Sequence, residues 1–159
     1  VLWSVLADLS WKTCPKGGNA MRVRVQDAPL EPWRELGAAP ESGSYGATSV
    51  FVGTLRDFNQ GHEVKQMTLE HYPGMTESYL QQISEEAAGR WDLVDTMVIH
   101  RVGKLRPGEP IVLVAVWAPH RNAAFSACRY IIDELKTRAP FWKKETTDVG
   151  PRWVTPGDA

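Results

Sequence analysis

The apolar stripe Ala124, Cys128, Ile131 and Leu135 runs into Pro140, and that collision constrains the chain more than any other feature. Residues three and four apart share one face of a helix, with Phe125 and Ile132 widening the stripe. Asn122 is placed to cap the helix start. Proline has no N–H and disfavours helical geometry in the residue before it, so the helix must stop near Arg138. Beyond the break, "FWKKETTDVGPRWV" reads as an extended hairpin. Lys136 and Arg138 therefore stand on one side of the break, Lys143 and Lys144 on the other, with Phe141 and Trp142 between them. Such a grouping suits a pocket for a flat anion.

Upstream, the hydrophobic period alternates between two and 3.6. "MRVRVQ", "ATSVFVGTL", "VKQMTLEHY", "LVDTMVIHRVG" and "PIVLVAVWA" read as strands. The third of these alternates regularly and is expected to bury one face throughout. "PLEPWRELG" is a short helix at most, "APESGSYG" a loop, "RDFNQGHE" and "PGM" turns, and "KLRPGE" a hairpin connection. From Thr76 to Arg90, Tyr79, Leu80, Ile83 and Ala87 form a helical stripe opposite Glu77, Gln81, Glu85 and Glu86. The order strand–strand–helix–strand–strand–helix–hairpin defines an α+β single domain with mainly antiparallel pairing over residues 21–159. Residues 1–20, "VLWSVLADLSWKTCPKGGNA", read as an N-terminal extension outside the domain and poorly ordered, with an amphipathic docking helix as the other reading.

Eighteen Lys and Arg against nineteen Asp and Glu leave a formal net charge of -1, which excludes a generally basic chain that coats nucleic acid. Any anion site must come from local clustering. The apolar runs fall far short of the ~20 residues of a membrane helix. Cys14 and Cys128 are not spaced as metal ligands, and their scarcity suits a reducing, cytoplasmic setting. Cys128 lies on the helix stripe and reads as a buried inert thiol.

Positive groups recur at element ends, where functional side chains collect on a rigid scaffold. Arg56 follows the first apolar strand, His120 and Arg121 precede the second helix, Lys136 lies on its last turn, and Lys143 and Lys144 follow the break. Each has a plain alternative: Lys136 complements the helix dipole, and the others are solvated surface charges. His62, His71, His100 and His120 lack metal-ligand spacing, and His71 and His100 read as structural residues inside strands.

Five segments, in order and at matching spacing, resemble the large, catalytic subunit of molybdopterin synthase. They are "FVGTLRDFNQG", "LEHYPGMTE", "VIHRVGKLRPGE", "PHRNAAF" and "LKTRAPFWKKE". The resemblance implies an α/β hammerhead-type fold and a homodimer at the centre of a heterotetramer. Each large subunit would hold a small ubiquitin-like sulfur carrier whose C-terminal Gly-Gly tail enters the site as a thiocarboxylate. The implied reaction delivers two sulfurs to cyclic pyranopterin monophosphate, forming molybdopterin without a metal or other cofactor. Lys136 and Lys143 match the family's two functional lysines. Thr54, Leu55 and Arg56 match a substrate-binding strand end, and Lys144 and Glu145 flank the second lysine. His120 and Arg121 match a pair that binds the anionic end of the pterin and in the dimer comes from the other subunit. This chain departs from the pattern in carrying Trp117-Ala118-Pro119 before His120, and in having no basic residue after Trp153. The rival class of function is a non-catalytic module that docks a ubiquitin-like tail, by strand addition at a sheet edge. Neither reading involves nucleic acid or a membrane.

Overall fold

The computed structural model describes residues 20–41 and 43–154. The expected extension, apart from Ala20, lies outside them, as does Cys14. Two strands form the centre of the molecule: β5 (Asp95–Arg101) and β7 (Pro110–Ala118), paired antiparallel. Every residue of β5 is buried, as is β7 from Val112 onward. A strand covered on both faces must be apolar on both, which is why these runs do not alternate. Val98, Val112, Val114 and Val116 face the long helices α2 (Met75–Arg90) and α3 (Arg121–Arg138). Met97, Ile99, Leu113, Ala115 and Trp117 pack under Leu30, with Leu36 and Tyr45 beside them. That second cover comes from the short helix α1 (Pro32–Glu35), its 3-10 continuation Leu36–Ala38 and the loops flanking them.

The first sheet runs β1-β5-β7-β2, with β1 at Ala20–Gln26 and β2 at Ala47–Thr54. Only β1–β5 is parallel in the described ladders, so the expected α+β, mainly antiparallel architecture is what the chain adopts. The second sheet runs β3-β4-β8-β9, from β3 (Phe58–Asn59) and β4 (His62–His71) to the hairpin β8 (Phe141–Thr147) and β9 (Gly150–Val154). The C-terminal hairpin was legible; other connections were not. "KLRPGE" is more than a hairpin turn: Gly103, at φ +82°, redirects Gly103–Leu105 into a further strand, β6, that pairs with β4 and joins the two sheets. Within "RDFNQGHE", Phe58–Asn59 forms the small strand β3. In β4 a register shift between Val64 and Gln66 breaks the expected alternation, so Val64 and Met67 are both buried although their spacing is odd.

The helices follow their stripes with three corrections. Tyr79 is 37% exposed and Phe125 67% exposed, both outside the buried faces. Thr76 and Ser84 are buried instead in α2. The N-cap of α3 is His120, in extended geometry, and Asn122 belongs to the first turn. At the other end the helix stops where Pro140 requires, with Ala139 extended. Gly46 closes the loop before β2 against the strand end: its N–H donates to the Ala118 carbonyl at 3.0 Å. A side chain there would lie 2.4 Å from the Pro119 carbonyl oxygen, so the backbone approach requires glycine.

Glu86, expected to be a plain helix-surface charge, ties α2 to α3. It accepts from Arg138 Nη1 at 2.6 Å and Nη2 at 3.1 Å, and from the Tyr130 hydroxyl at 2.7 Å. Arg138 thus faces α2 and leaves the cation group near the break. Hydrogen bonds from Arg138, then from Tyr130, hold the Glu86 carboxyl down at about 2. A carboxylate with a lowered folded-state pKa stabilises the fold above its unfolded value and loses that effect as pH falls through the folded one. Acidification from pH 4.5 towards 2 should therefore lower the thermal midpoint of the wild type more steeply than that of Glu86→Gln. Parallel slopes in calorimetric scans would show that the tie contributes nothing.

Candidate active site

A cavity of about 340 Å³ opens where the two sheets and the C-terminal end of α3 meet. Three backbone elements supply most of its polar groups. The first is the end of β2, where a register shift at Gly53/Thr54 releases the strand from β7. The segment after it is held by two bonds, Leu55 N–H to the Glu109 carbonyl at 3.0 Å and Gly108 N–H to the Leu55 carbonyl at 2.7 Å. Thr54 and exposed Arg56 reach the cavity from there, while Leu55 is 5% exposed and serves mainly as core under β4. The second is the last turn of α3, which presents Lys136 beside Leu135. The third is β8, on which Lys143 and Glu145 face inward. Side chains alternate along a strand, so Lys144 points to the other face, its ammonium 5.5 Å from the Trp153 ring centre.

The structure thus gathers Thr54, Leu55, Arg56, Lys136, Lys143 and Glu145 around one space, and excludes Lys144, His120 and Arg121 from it. The last two lie at the far end of α3. Lys136 is fifteen helical steps beyond Arg121 (136 − 121), which at ~1.5 Å of rise each is roughly 22 Å. Within one chain they cannot share a ligand with Lys136. Trp142 is half-exposed and leans on Tyr72, with ring centres 5.8 Å apart, outside the cavity.

Lys143 is the electrostatically unusual cation. Burial removes hydration from its ammonium, the nearby Lys136 charge repels it, and both lower its pKa from the ordinary 10.5, with Glu145 opposing. Glu145 is 2% exposed and fully engaged: it accepts from Asn59 Nδ2 at 2.8 Å and from Arg152 Nε at 3.1 Å and Nη2 at 3.0 Å. Its part is to lock β3, β8 and β9 together beneath the cavity, since a buried carboxylate persists only when paired. Sequence reasoning missed Asn59 and Arg152, whose partner lies across the sheet rather than along the chain. It also placed His100 as purely structural, whereas His100 lines the cavity. Phe51, Met67, Ile111, Val112 and Leu135 supply apolar walls. Gly53 lets them close in, because a side chain there would come within 2.8 Å of Val112 Cγ1. Cys128 is buried away from the cavity, and burial pushes its thiol pKa up. Among the described residues no group of three His, Cys, Asp or Glu side chains converges as metal ligands. No described helix is long and apolar enough to cross a membrane.

An α+β domain with an apolar-walled, cation-rimmed cavity at a sheet–helix junction has the form of a protein that takes up a small anionic ligand. Comparison with known proteins narrows that class. The MoaE protein family matches residues 25–138. A molybdopterin synthase catalytic subunit from Pseudomonas aeruginosa is 55% identical over 135 residues, covering 84% of this chain and 90% of the relative. The crystal structure of molybdopterin synthase from Staphylococcus aureus superposes with a TM-score of 0.76 at 31% identity, over 82% of this chain and 95% of that one. A complex of subunits 1 and 2 of the molybdopterin-converting factor from Helicobacter pylori shares the fold, with a TM-score of 0.71 at 19% identity over 86% and 92% of the two chains. The chain belongs to the MoaE family, the catalytic subunits of molybdopterin synthase.

The coupling between the two lysines is open to direct measurement. Replacing Lys136 by Met removes a repelling charge, so the Lys143 titration should move up towards 10.5. Lysine-selective NMR across a pH series would detect it. An unmoved Lys143 would mean that burial alone sets its proton affinity.

Proposed function

We propose that this chain is the sulfurtransferase subunit of a molybdopterin synthase. In this reading its cavity receives the C-terminal thiocarboxylate of a small ubiquitin-like carrier and passes sulfur, twice in succession, to cyclic pyranopterin monophosphate. The observation that carries the reading is the convergence of Arg56, Lys136 and Lys143 on one cavity in a chain whose net charge is -1. Two anions must meet there. At ~4 Å their repulsion is about 1 kcal/mol in water and about 4 kcal/mol at an effective dielectric near 20. Fixed cations offset that repulsion and stabilise charge that develops during transfer.

The two lysines divide the work by environment. Lys136, exposed on the last helical turn, neutralises and orients the incoming thiocarboxylate. Lys143, half-buried and with its pKa lowered by burial and by the Lys136 charge, is the group suited to proton transfer. Arg56 holds an anionic group of the substrate at the rim, and Glu145, anchored by Asn59 and Arg152, keeps Lys143 in register. His120 and Arg121 act on the cavity of a second copy in a homodimer, since their own cavity is out of reach. Carrier and dimer together form a heterotetramer.

Incubation with thiocarboxylated carrier and the pterin precursor, read as dithiolene product, tests this reading. Lys136→Ala should fold and bind carrier normally but lose at least ~100-fold in turnover; near-normal product formation would defeat the assignment, as would a wild type that only binds the carrier. The shared site has its own signature: Lys136→Ala and Arg121→Ala, each inactive alone, should regain activity when mixed, because one cavity of the hybrid dimer is intact. An active Arg121→Ala would place that residue outside the reaction, and inactive variants that fail to complement would rule out a site shared between two copies.

A further inference from the structure

The cavity contains one side chain whose chemistry differs from the rest. His100, on β5, is 3% exposed and lines the cavity. Its ring lies flat on Phe141, with centres 3.8 Å apart and planes 18° from parallel, so it cannot turn without breaking the contact between the sheets. Nδ1 sits 2.8 Å from the Arg101 carbonyl oxygen, a group that only accepts, so Nδ1 carries the proton. Burial pushes the imidazole pKa down to about 3, opposed by that carbonyl and helped by the charges of Lys143 and His71, so the ring is neutral at physiological pH. Nε2 is then a bare lone pair. It meets no hydrogen-bond partner among the described residues and is not one of the sealed polar atoms, so it faces the cavity.

The other polar lining groups perform different tasks. Arg56, Lys136 and Lys143 are donors only. Asn59 and Glu145 are engaged with each other, and Glu145 also with Arg152. The Thr54 hydroxyl both donates and accepts. A rigid, neutral, acceptor-only atom in a cavity dominated by positive donors has no use for a phosphate or a thiocarboxylate. It fits a ligand's own N–H.

We propose that His100 is a substrate-binding residue whose Nε2 accepts a hydrogen bond from a ring N–H or amino group of the bound heterocycle, fixing the ring's orientation while the cations hold the anionic parts. This rests on the reading of the cavity as the pterin-precursor site. It adds to that reading the means by which a ring bearing N–H donors is selected over a simple anion.

Two ligands separate the possibilities: cyclic pyranopterin monophosphate, which bears ring donors, and inorganic phosphate, which has only the charge. His100→Phe keeps a flat ring against Phe141 and removes the acceptor. It should weaken the pterin ligand by about tenfold or more in calorimetric titration, as expected for a ligand donor left unpaired. Phosphate binding, followed by amide shifts, should be unchanged. His100→Gln, which returns a polar group near the same place, should recover part of the loss. In the wild type, nitrogen-labelled histidine should show Nε2 unprotonated in the free protein and shifted on addition of the pterin, with Nδ1 unmoved; this holds even if a variant folds poorly. Equal pterin affinity in wild type and His100→Phe, equal loss of both ligands in the variant, or an Nε2 signal indifferent to the pterin would each overturn the proposal while leaving the sulfur-transfer reading intact. A wild type that binds phosphate but not the pterin would overturn both.

Discussion

The site depends on one covalent constraint, the proline that ends α3. Because Pro140 cannot continue the helix, the chain turns within two residues and re-enters as β8. The last turn of a helix and the first residues of a strand then lie against the same space, and Lys136 and Lys143 become neighbours across it. Phe141 completes the turn by stacking on His100 of the other sheet. Without the break the seven-residue step from Lys136 to Lys143 would be two turns of helix, and the cavity would not exist.

Around that junction the charges are arranged by depth. Arg56 and Lys136 are exposed, Lys143 is partly desolvated, and Glu145 is sealed beneath with Arg152 and Asn59 as partners. Desolvation along that gradient lowers the proton affinity of the Lys143 ammonium. The gradient also explains why a buried carboxylate is tolerated under a site for anions: its charge is committed to the β-hairpin, and only a residual pull reaches Lys143.

Much of this was legible in the sequence, for physical reasons that can be named. Helices α2 and α3, the long strands and the stop at Arg138 follow from periodicity and from proline geometry, both local properties. The cation group near the break was visible as composition. What could not be read were features set by partners distant in the chain. The β6 detour depends on β4, the bulge at Val64 depends on β8, and the tie between Glu86 and Arg138 spans two helices. Likewise Lys144 and Arg138 looked like members of the cluster until strand alternation and a helix partner turned them away. Phe125 carried an apolar signal yet is exposed, since a stripe wider than the sheet beneath leaves its margin uncovered.

The register of the ladders decides what can be attached to this molecule. Val154 pairs with Lys143, so a fluorophore placed on Val154 sits beside the cavity. Asp95 pairs with Trp117, so a label at that corner of the first sheet lies where the chain leads into His120. A labelled form that preserves both surfaces needs its attachment within an exposed turn away from them, such as the β8–β9 turn at Val149, which is 72% exposed.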